Sequence, residues 1–373
     1  MATAKTITVT KNNSIIDTGK GDDIITVSKG SKSVIKAGAG NDTITVNATV
    51  GIANQVFGNA DNDTFKIKGG DKNLYNGGDG NDIITLSGGY TNGILGGVGD
   101  DKITITGKAT SRNAIEAQGG NDTINIKGGK NNLIYSGSGD DTVTITKNAG
   151  TGNKIYGQGG DDTINIKGGK KNLIYAGSNN DTITITKDAG TGNKIYGQGG
   201  SDKLSIKGGS SNLIKAGGGN DTITVSSTIG TKNKIYGEAG VDTITIKGGR
   251  NNTVYGGNGN DTIKISSGTG NTIYGQGGTD SFTISGGNNN VIYGGSGSDT
   301  FTFLSTFTKT CTVYDFRNGE VFKFNGVGYA GYSIEESDVT LNLDNGGSIK
   351  IIGGKGRTLS YEDANGKADI KFA

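Results

Sequence analysis

Aspartate returns through this chain at fixed intervals. Asp23, Asp42, Asp63, Asp82, Asp101, Asp122, Asp141, Asp162, Asp181, Asp202, Asp221, Asp242, Asp261, Asp280 and Asp299 stand 19 or 21 residues apart. Each closes a glycine-rich hexapeptide, such as GGDGND (77–82), GGVGDD (96–101), GGNGND (256–261) or GGSGSD (294–299). A short β-type run such as DTITI or DTINI then begins at each of them. A period near twenty with one turn signature per period predicts a solenoid. Carboxylates on adjacent coils would lie about 5 Å apart, where a like pair costs on the order of 3 kcal/mol at an effective dielectric near 20. A row of such pairs would unfold a marginally stable protein. Protonation, lysine pairing or bound cations would relieve the repulsion. Lysines beside the Asp are few, Lys20 being one. A hard cation between adjacent turns would find the oxygen ligands that Ca2+ prefers in the carboxylates and in turn carbonyls such as those of Gly77, Gly80, Gly96, Gly99, Gly256, Gly259, Gly294 and Gly297. The plainer reading has each Asp merely accept backbone N–H bonds in its own turn, which leaves the repulsion in place.

The elements that position this row are legible from a second marker. Nine residues before each Asp stands Asn54, Asn73, Asn92, Asn113, Asn132, Asn153, Asn172, Asn193, Asn212, Asn233, Asn252, Asn271 or Asn290, with Ser14 and Ser33 in the first two coils. All length variation therefore lies between an Asp and the next Asn, and it is always two residues, which preserves side-chain parity. Two and four residues after each Asp the residue is apolar, as at Ile44 and Val46, Phe65 and Ile67, Ile164 and Ile166, or Phe301 and Phe303. Two residues after each Asn it is apolar again, as at Ile134, Ile155, Ile174 and Ile195, with Tyr75 the one polar-tipped case. Thr, Lys, Ser and Asn fill the positions between. This period-two alternation predicts two short strands per coil with one face buried. Parallel stacking at about 4.8 Å would make fifteen coils roughly 70 Å long. The Asn row reads as a structural ladder of stacked amides.

Composition agrees. Glycine supplies 71 of 373 residues and proline none, as turns needing positive φ and unbroken ladders require. A net charge of +2 points to neither nucleic acid nor an anionic membrane. No stretch approaches a membrane-spanning length, and MATAKTITVT lacks the apolar core of a signal peptide. The one cysteine, Cys311, excludes an intrachain disulfide.

The GGxGxD turn followed by alternating apolar residues resembles the repeats-in-toxin (RTX) nonapeptide, over roughly residues 14–303. The resemblance implies a parallel β-roll whose turns bind rows of Ca2+ through the Asp side chain and turn carbonyls. It also implies type I secretion, with folding in extracellular calcium. This chain departs from the family pattern. Its coils have 19 or 21 residues rather than eighteen, and one edge only carries the motif, so one row of ions is expected. Asn59, Gln118, Gln158, Gln198, Glu238 and Gln276 replace the second glycine, and Asp61 and Asn179 replace the later one. The chain is also not acidic.

Between residues 101 and 233 long and short far-edge turns mostly alternate, and segments 147–167 and 187–207 are nearly identical. Lys127, Lys167, Lys207 and Lys247 recur on every second coil. Tyr135, Tyr156, Tyr175, Tyr196, Tyr236, Tyr255, Tyr274 and Tyr293 face outward three residues after the Asn. They read either as cross-strand packing or as a surface for a second subunit or a glycan. A degenerate sixteenth coil should follow, with Cys311 in the Asn slot, Val313 inward, Tyr314 in the tyrosine row, Glu320 in the Asp slot, and Phe322 and Phe324 in the core. Two hairpins turning at Asn345-Gly346 and Asn365-Gly366 should cap it.

The expected architecture is thus an all-β parallel solenoid of 15–16 coils with a small antiparallel C-terminal cap. Residues 1–13 should supply a starting strand, 14–303 the solenoid, and 304–373 the last coil and cap. With no histidine, no nucleophile paired with a base and no phosphate loop, an enzyme is not expected. The expected function is a secreted, calcium-folded structural protein of a bacterial surface layer, matrix or adhesin, extracellular and self-associating, with glycans as a further partner class. The alternatives are an ice-binding solenoid, suggested by outward Thr pairs such as Thr222/Thr224 and Thr243/Thr245, and a glycan-binding module.

Overall fold

The computed structural model describes residues 3–107, 111–146, 148–226, 230–317, 319–363 and 366–372. Among them there is no helix, and so none long and apolar enough to cross a membrane. The chain divides into two compact units, residues 1–183 with 188–195, and residues 184–187 with 196–373. Both are parallel β-solenoids, about sixteen turns in all.

In the first unit each coil contributes a six-residue strand, a glycine turn and a four-residue strand, except that the first coil's leading strand, Ile15–Asp17, has three residues. The coil of Asp82 is representative. Leu74–Asp79 lies parallel between Gln55–Ala60 and Gly93–Val98, which puts Tyr75 beside Val56 and Ile94. Ile83–Leu86 lies between Thr64–Ile67 and Lys102–Ile105, which puts Ile84 beside Phe65 and Ile103. Apolar residues from both strands meet in a thin core, and Phe65, Tyr75, Ile84, Ile94 and Ile103 are each 0 % exposed. At the N-terminus Thr6–Val9 pairs with Ile24–Val27, so the starting strand is a full member of the sheet. Ile155 is stacked between Ile134 and Ile174 in this core. Ile155→Val should therefore cost about 1 kcal/mol, read as a lower midpoint of thermal unfolding in Ca2+.

In the second unit the same plan holds, with Thr253–Asn258 between Lys234–Ala239 and Thr272–Gly277. The sixteenth coil forms as its slots predict. Cys311 stands opposite Asn290, Val313 opposite Ile292, Tyr314 opposite Tyr293, Phe322 opposite Phe301 and Phe324 opposite Phe303. Cys311 is buried, and its apolar surroundings push the thiol pKa up. Beyond it the antiparallel group both covers the open core and extends it. Asp338–Leu343 and Ser348–Ile351 form the first hairpin, and the second of these strands runs parallel to Thr310–Tyr314. Thr358–Asp363 pairs antiparallel with Gly366–Lys371 and parallel to Val321–Asn325. Asn365, read as part of the second turn, lies outside the described residues. A further strand, Tyr329–Glu335, joins the first hairpin, a pairing that its Gly331 and weak alternation conceal in the sequence.

The residue before each ladder Asn is left-handed. Lys32, Ala53, Lys72, Thr91 and Arg112 have φ between +55° and +60° in the first unit, as do Ser211 and Lys232 (+54° and +56°) in the second. The sequence hides this, because glycine fills the slot only occasionally, as at Gly152 (φ +74°). A β-branched residue suffers most there. Thr91→Gly should raise stability by about 0.5–1 kcal/mol even after the added freedom of the unfolded chain, and a lower thermal midpoint would contradict it.

Candidate metal centre

The Asp row is inward-facing. From Asp23 to Asp299 all fifteen side chains are at most 2 % exposed. Within each unit the Asp links its coil to the previous one through a single oxygen. The N–H of Asp23 donates to Oδ1 of Asp42 at 2.7 Å, Asp42 to Asp63 at 2.8 Å, Asp63 to Asp82 at 2.6 Å, and so on through Asp162 to Asp181 at 2.8 Å. The second unit repeats the pattern from Asp202 to Asp221 at 2.7 Å through Asp280 to Asp299 at 2.8 Å. The row starts from the N–H of Lys5, 2.5 Å from Oδ1 of Asp23.

In twelve of the fifteen the other oxygen has nothing to accept. Oδ2 is buried without a hydrogen-bond partner in Asp23, Asp42, Asp63, Asp82, Asp101, Asp122, Asp162, Asp221, Asp242, Asp261, Asp280 and Asp299. Five positions earlier stands Gly58, Gly77, Gly96, Gly157, Gly197, Gly237, Gly256, Gly275 or Gly294, where Oδ2 of the Asp lies against the glycine; the other coils have Ala37, Ala117, Ala176, Ala216, Ser136 or Thr18, so the slot is never larger than threonine. A Cβ added to Gly96 would lie 2.1 Å from Oδ2 of Asp101 and 2.6 Å from the carbonyl oxygen of Ala117 on the next coil. At Gly256 the corresponding oxygens are Asp261 Oδ2 at 2.3 Å and the Gly275 carbonyl at 2.7 Å. Two acceptors therefore converge on one small cradle, with no donor between them.

The opposite edge is built on the same plan and differs in one atom. The N–H of Asn73 donates to Oδ1 of Asn92 at 2.9 Å, and that of Asn92 to Asn113 at 2.9 Å. In the second unit Asn233 donates to Asn252 at 3.0 Å. The expected ladder of amide on amide is thus mainly a ladder of backbone N–H onto side-chain oxygen. The second side-chain atom, Nδ2, donates to a turn carbonyl, Gly51 from Asn73 at 3.2 Å and Gly70 from Asn92 at 3.0 Å, or to the next Asn, as from Asn113 to Asn132 at 3.2 Å. Asparagine thus completes its edge with its own donor. Aspartate presents an acceptor to acceptors, and only a proton or a cation completes that edge.

The electrostatics follow. Burial pushes the carboxyl pKa up to about 8 at Asp63, about 7 at Asp101, Asp122, Asp162, Asp221 and Asp261, and about 6 at Asp42, Asp82 and Asp280, against the N–H bond, which lowers it. Neighbouring carboxylates add a smaller push, for example Asp82 and Asp42 on Asp63. Desolvation therefore outweighs the mutual repulsion from which the sequence argument began.

The predicted glycine ligands divide. The carbonyls of Gly77, Gly96, Gly256 and Gly294 face the cradles of the preceding coils, at 2.5, 2.4, 2.3 and 2.4 Å from a Cβ added there. Gly80, Gly99, Gly259 and Gly297 serve the turn through φ of +126° to +131°. Where the second motif glycine is replaced, the backbone stays left-handed but tightens, with φ +80° to +85° at Asn59, Gln118, Gln158, Gln198, Glu238 and Gln276 against +120° to +132° at Gly78, Gly97, Gly177 and Gly257. Asp61 and Asn179, at the later glycine, keep φ of +75° and +77°.

The sequence reading missed an outer rung. One residue before the inward Asp, Asp22, Asn41, Asn62, Asn81, Asp100, Asn121, Asp140 and Asp161 each stand exposed, and the N–H of each later member donates to the carboxyl or amide oxygen of the one before, as from Asn81 to Asn62 at 2.6 Å and from Asp161 to Asp140 at 2.8 Å. The recurring ND and DD pairs were its signal. Among the described residues no three carboxylates or thiols gather as a metal cluster, so each repeat coil would offer an ion one carboxylate, with further oxygens from the backbone. Hard oxygen donors in a cradle of this size suit Ca2+.

The tyrosines form stacked half-buried rows. Ring centroids are 5.0 Å apart for Tyr135 and Tyr156 and 5.2 Å for Tyr156 and Tyr175. In the second unit Tyr236, Tyr255, Tyr274, Tyr293 and Tyr314 follow at 4.4–4.9 Å, and Tyr196 is also half-buried.

The profile of the RTX calcium-binding nonapeptide repeat (4 copies) matches residues 33–48, 128–144, 151–170, 207–227, 246–264 and 283–303. Among solved structures, similarity extends to the X-ray crystal structure of a hyperactive, Ca2+-dependent, β-helical antifreeze protein from an Antarctic bacterium, at 21% identity over 85% of this chain and 84% of that one, with a TM-score of 0.44. The extracellular lipase LipA from Serratia marcescens is similar at 16% identity over 48% of this chain and 38% of that one, with a TM-score of 0.18. No curated protein matches. The six repeat matches lie on coils that carry the half-satisfied aspartates, so this β-solenoid carries RTX calcium-binding nonapeptide repeats.

Proposed function

We propose that this protein is an extracellular structural scaffold, exported by type I secretion, folded by Ca2+ at a bacterial surface and assembled there through its repetitive faces. The observation that carries the reading is the row of buried aspartates, in which Asp63, Asp101, Asp122, Asp261 and others hold one unpartnered oxygen. Such a protein is unstable where calcium is scarce and stable where it is abundant. The proposed ligands are the fifteen inward Asp, from Asp23 to Asp299, with turn carbonyls such as those of Gly77, Gly96, Gly256 and Gly294, and with Gly80, Gly99, Gly259 and Gly297 shaping the turn or adding their own. The fold spends its regular residues on strands, ladders and turns, which supports a scaffold rather than a catalyst. The stacked tyrosines and the spaced lysines supply the contact surface for further copies of the chain, with glycans as the second class of partner.

Far-ultraviolet circular dichroism during a Ca2+ titration, with Mg2+ as control, should show a cooperative gain of β-structure with Ca2+ alone. Sedimentation at high concentration in millimolar Ca2+ should show oligomers, and a strictly monomeric folded protein overturns the assembly reading.

Ice binding is a second reading, favoured by one observation. Outward threonines are in register across coils, Thr222 opposite Thr243 and Thr224 opposite Thr245. Lys66, Lys102, Lys203 and Lys264 interrupt that surface. The calcium-loaded protein showing no thermal hysteresis disposes of it.

A further inference from the structure

The last inward aspartate differs from the others in what faces it. Along the rest of the second unit Oδ2 looks toward a backbone carbonyl of the next coil: Gly256 for Asp242, Gly275 for Asp261, Gly294 for Asp280. For Asp299 the next coil is the degenerate sixteenth, whose turn reads DFRNGE (315–320) where GGSGSD stood before. A Cβ added to Gly294 would lie 2.5 Å from Oδ2 of Asp299 and 3.2 Å from Oε1 of Glu320. A carboxylate has taken the carbonyl's place.

Both side chains are held from behind and left open in front. Asp299 is 0 % and Glu320 1 % exposed. Oδ1 of Asp299 accepts the Asp280 N–H at 2.8 Å, and Oε2 of Glu320 accepts the Arg317 N–H at 3.0 Å. Oδ2 of Asp299 and Oε1 of Glu320 have no partner. The turn around them is fixed by Asp315, whose Oδ1 and Oδ2 accept the N–H groups of Gly294 and Gly295 at 3.0 and 3.1 Å. The Arg317 side chain is exposed and contributes only its field at the two carboxylates. Two buried carboxylate oxygens aimed at one cradle, with no donor, require a counter-charge.

We propose that Asp299 and Glu320 form a two-carboxylate divalent-cation site, distinct from the one-carboxylate centres of the repeats, that ties the last repeat to the sixteenth coil. The proposal rests on the calcium reading of the repeats and adds a site of higher ligand charge. Affinity of oxygen sites for Ca2+ rises with ligand charge, so this ion should be the last to leave.

Native mass spectrometry of the full chain, at free Ca2+ lowered stepwise with a chelator, counts the ions directly. One ion should persist at about tenfold lower free Ca2+ than the rest. Glu320→Gln should abolish that ion and leave the others in place, with the fold checked by circular dichroism in millimolar Ca2+. Asp299→Asn, which keeps the Oδ1 acceptor, should lose the same ion and carries the test if Glu320→Gln does not fold. Survival of the tight ion in either variant, or a wild-type chain that sheds all its ions together while circular dichroism still shows it folded, overturns the two-carboxylate site alone. A wild-type chain that binds no Ca2+ overturns the repeat reading with it.

Discussion

Stripped of divalent cations, the protein should lose its β-structure at pH 8 and regain it as the pH falls toward 5, while in millimolar Ca2+ it should be folded at both. The unfolded chain's carboxyls ionise near 3.8, whereas in the fold Asp101 and Asp122 hold their protons up to about 7 and Asp63 up to about 8. Between these values the folded state binds more protons than the unfolded one, so stability falls as the pH rises. Above about pH 8 both states are ionised and the whole cost of buried charge is present. Below about 3.8 both are protonated and the gain levels off. A carboxyl raised by about three units costs about 4 kcal/mol once ionised, and a few of them exceed the ~5–15 kcal/mol by which domains are stable. Circular dichroism of metal-depleted protein from pH 4 to 8 checks this, and equal β-content across that range would contradict it.

The second large effect is a change of sign. Asp101→Asn should stabilise the metal-free protein at pH 8 by about 2–4 kcal/mol and weaken its response to Ca2+. The amide keeps an oxygen for the Asp82 N–H, now 2.8 Å from Asp101 Oδ1. Its Nδ2 replaces the orphaned Oδ2 and donates toward the Ala117 carbonyl, and no charge remains to be desolvated. The asparagine edge already shows this arrangement at work, with Nδ2 of Asn92 on the Gly70 carbonyl at 3.0 Å. In Ca2+ the same variant should bind fewer ions and unfold at a lower temperature than wild type. Urea unfolding of both proteins, with and without Ca2+, separates the two effects. A variant less stable than wild type in the absence of metal would contradict the account of Oδ2.

Much of this was legible in the sequence because a repeat reports its constraints many times. The spacing of Asp82 and Asn73 fixed the two edges, and the parity of Ile84 and Leu86 fixed the inner face. Even the sixteenth coil was readable, since Cys311, Val313 and Phe322 keep the parity after the motif is lost. Three things were not. The left-handed residue before each Asn leaves only a broken trace, because Asn131, Gly152 and Asn251 hold the slot in some coils while Lys72, Thr91 and Arg112 adopt it in others under the demands of the ladder. The strand Tyr329–Glu335 has no alternation to announce it. The balance between burial and repulsion at Asp63 depends on how deeply the carboxylate sits, which only the fold shows.

The likeness of the two edges has a consequence for how calcium can act. Backbone N–H groups clip each coil to the next on the asparagine side with donors the chain carries itself, and that seam specifies the register of one coil on its neighbour without calling on an ion. The aspartate side repeats the clip and lacks a closure. Calcium therefore decides whether neighbouring coils shut, while the asparagines decide where along each other they meet. A chain that encounters the ion abruptly, at the outer face of a cell, would have its alignment specified before its latch is thrown.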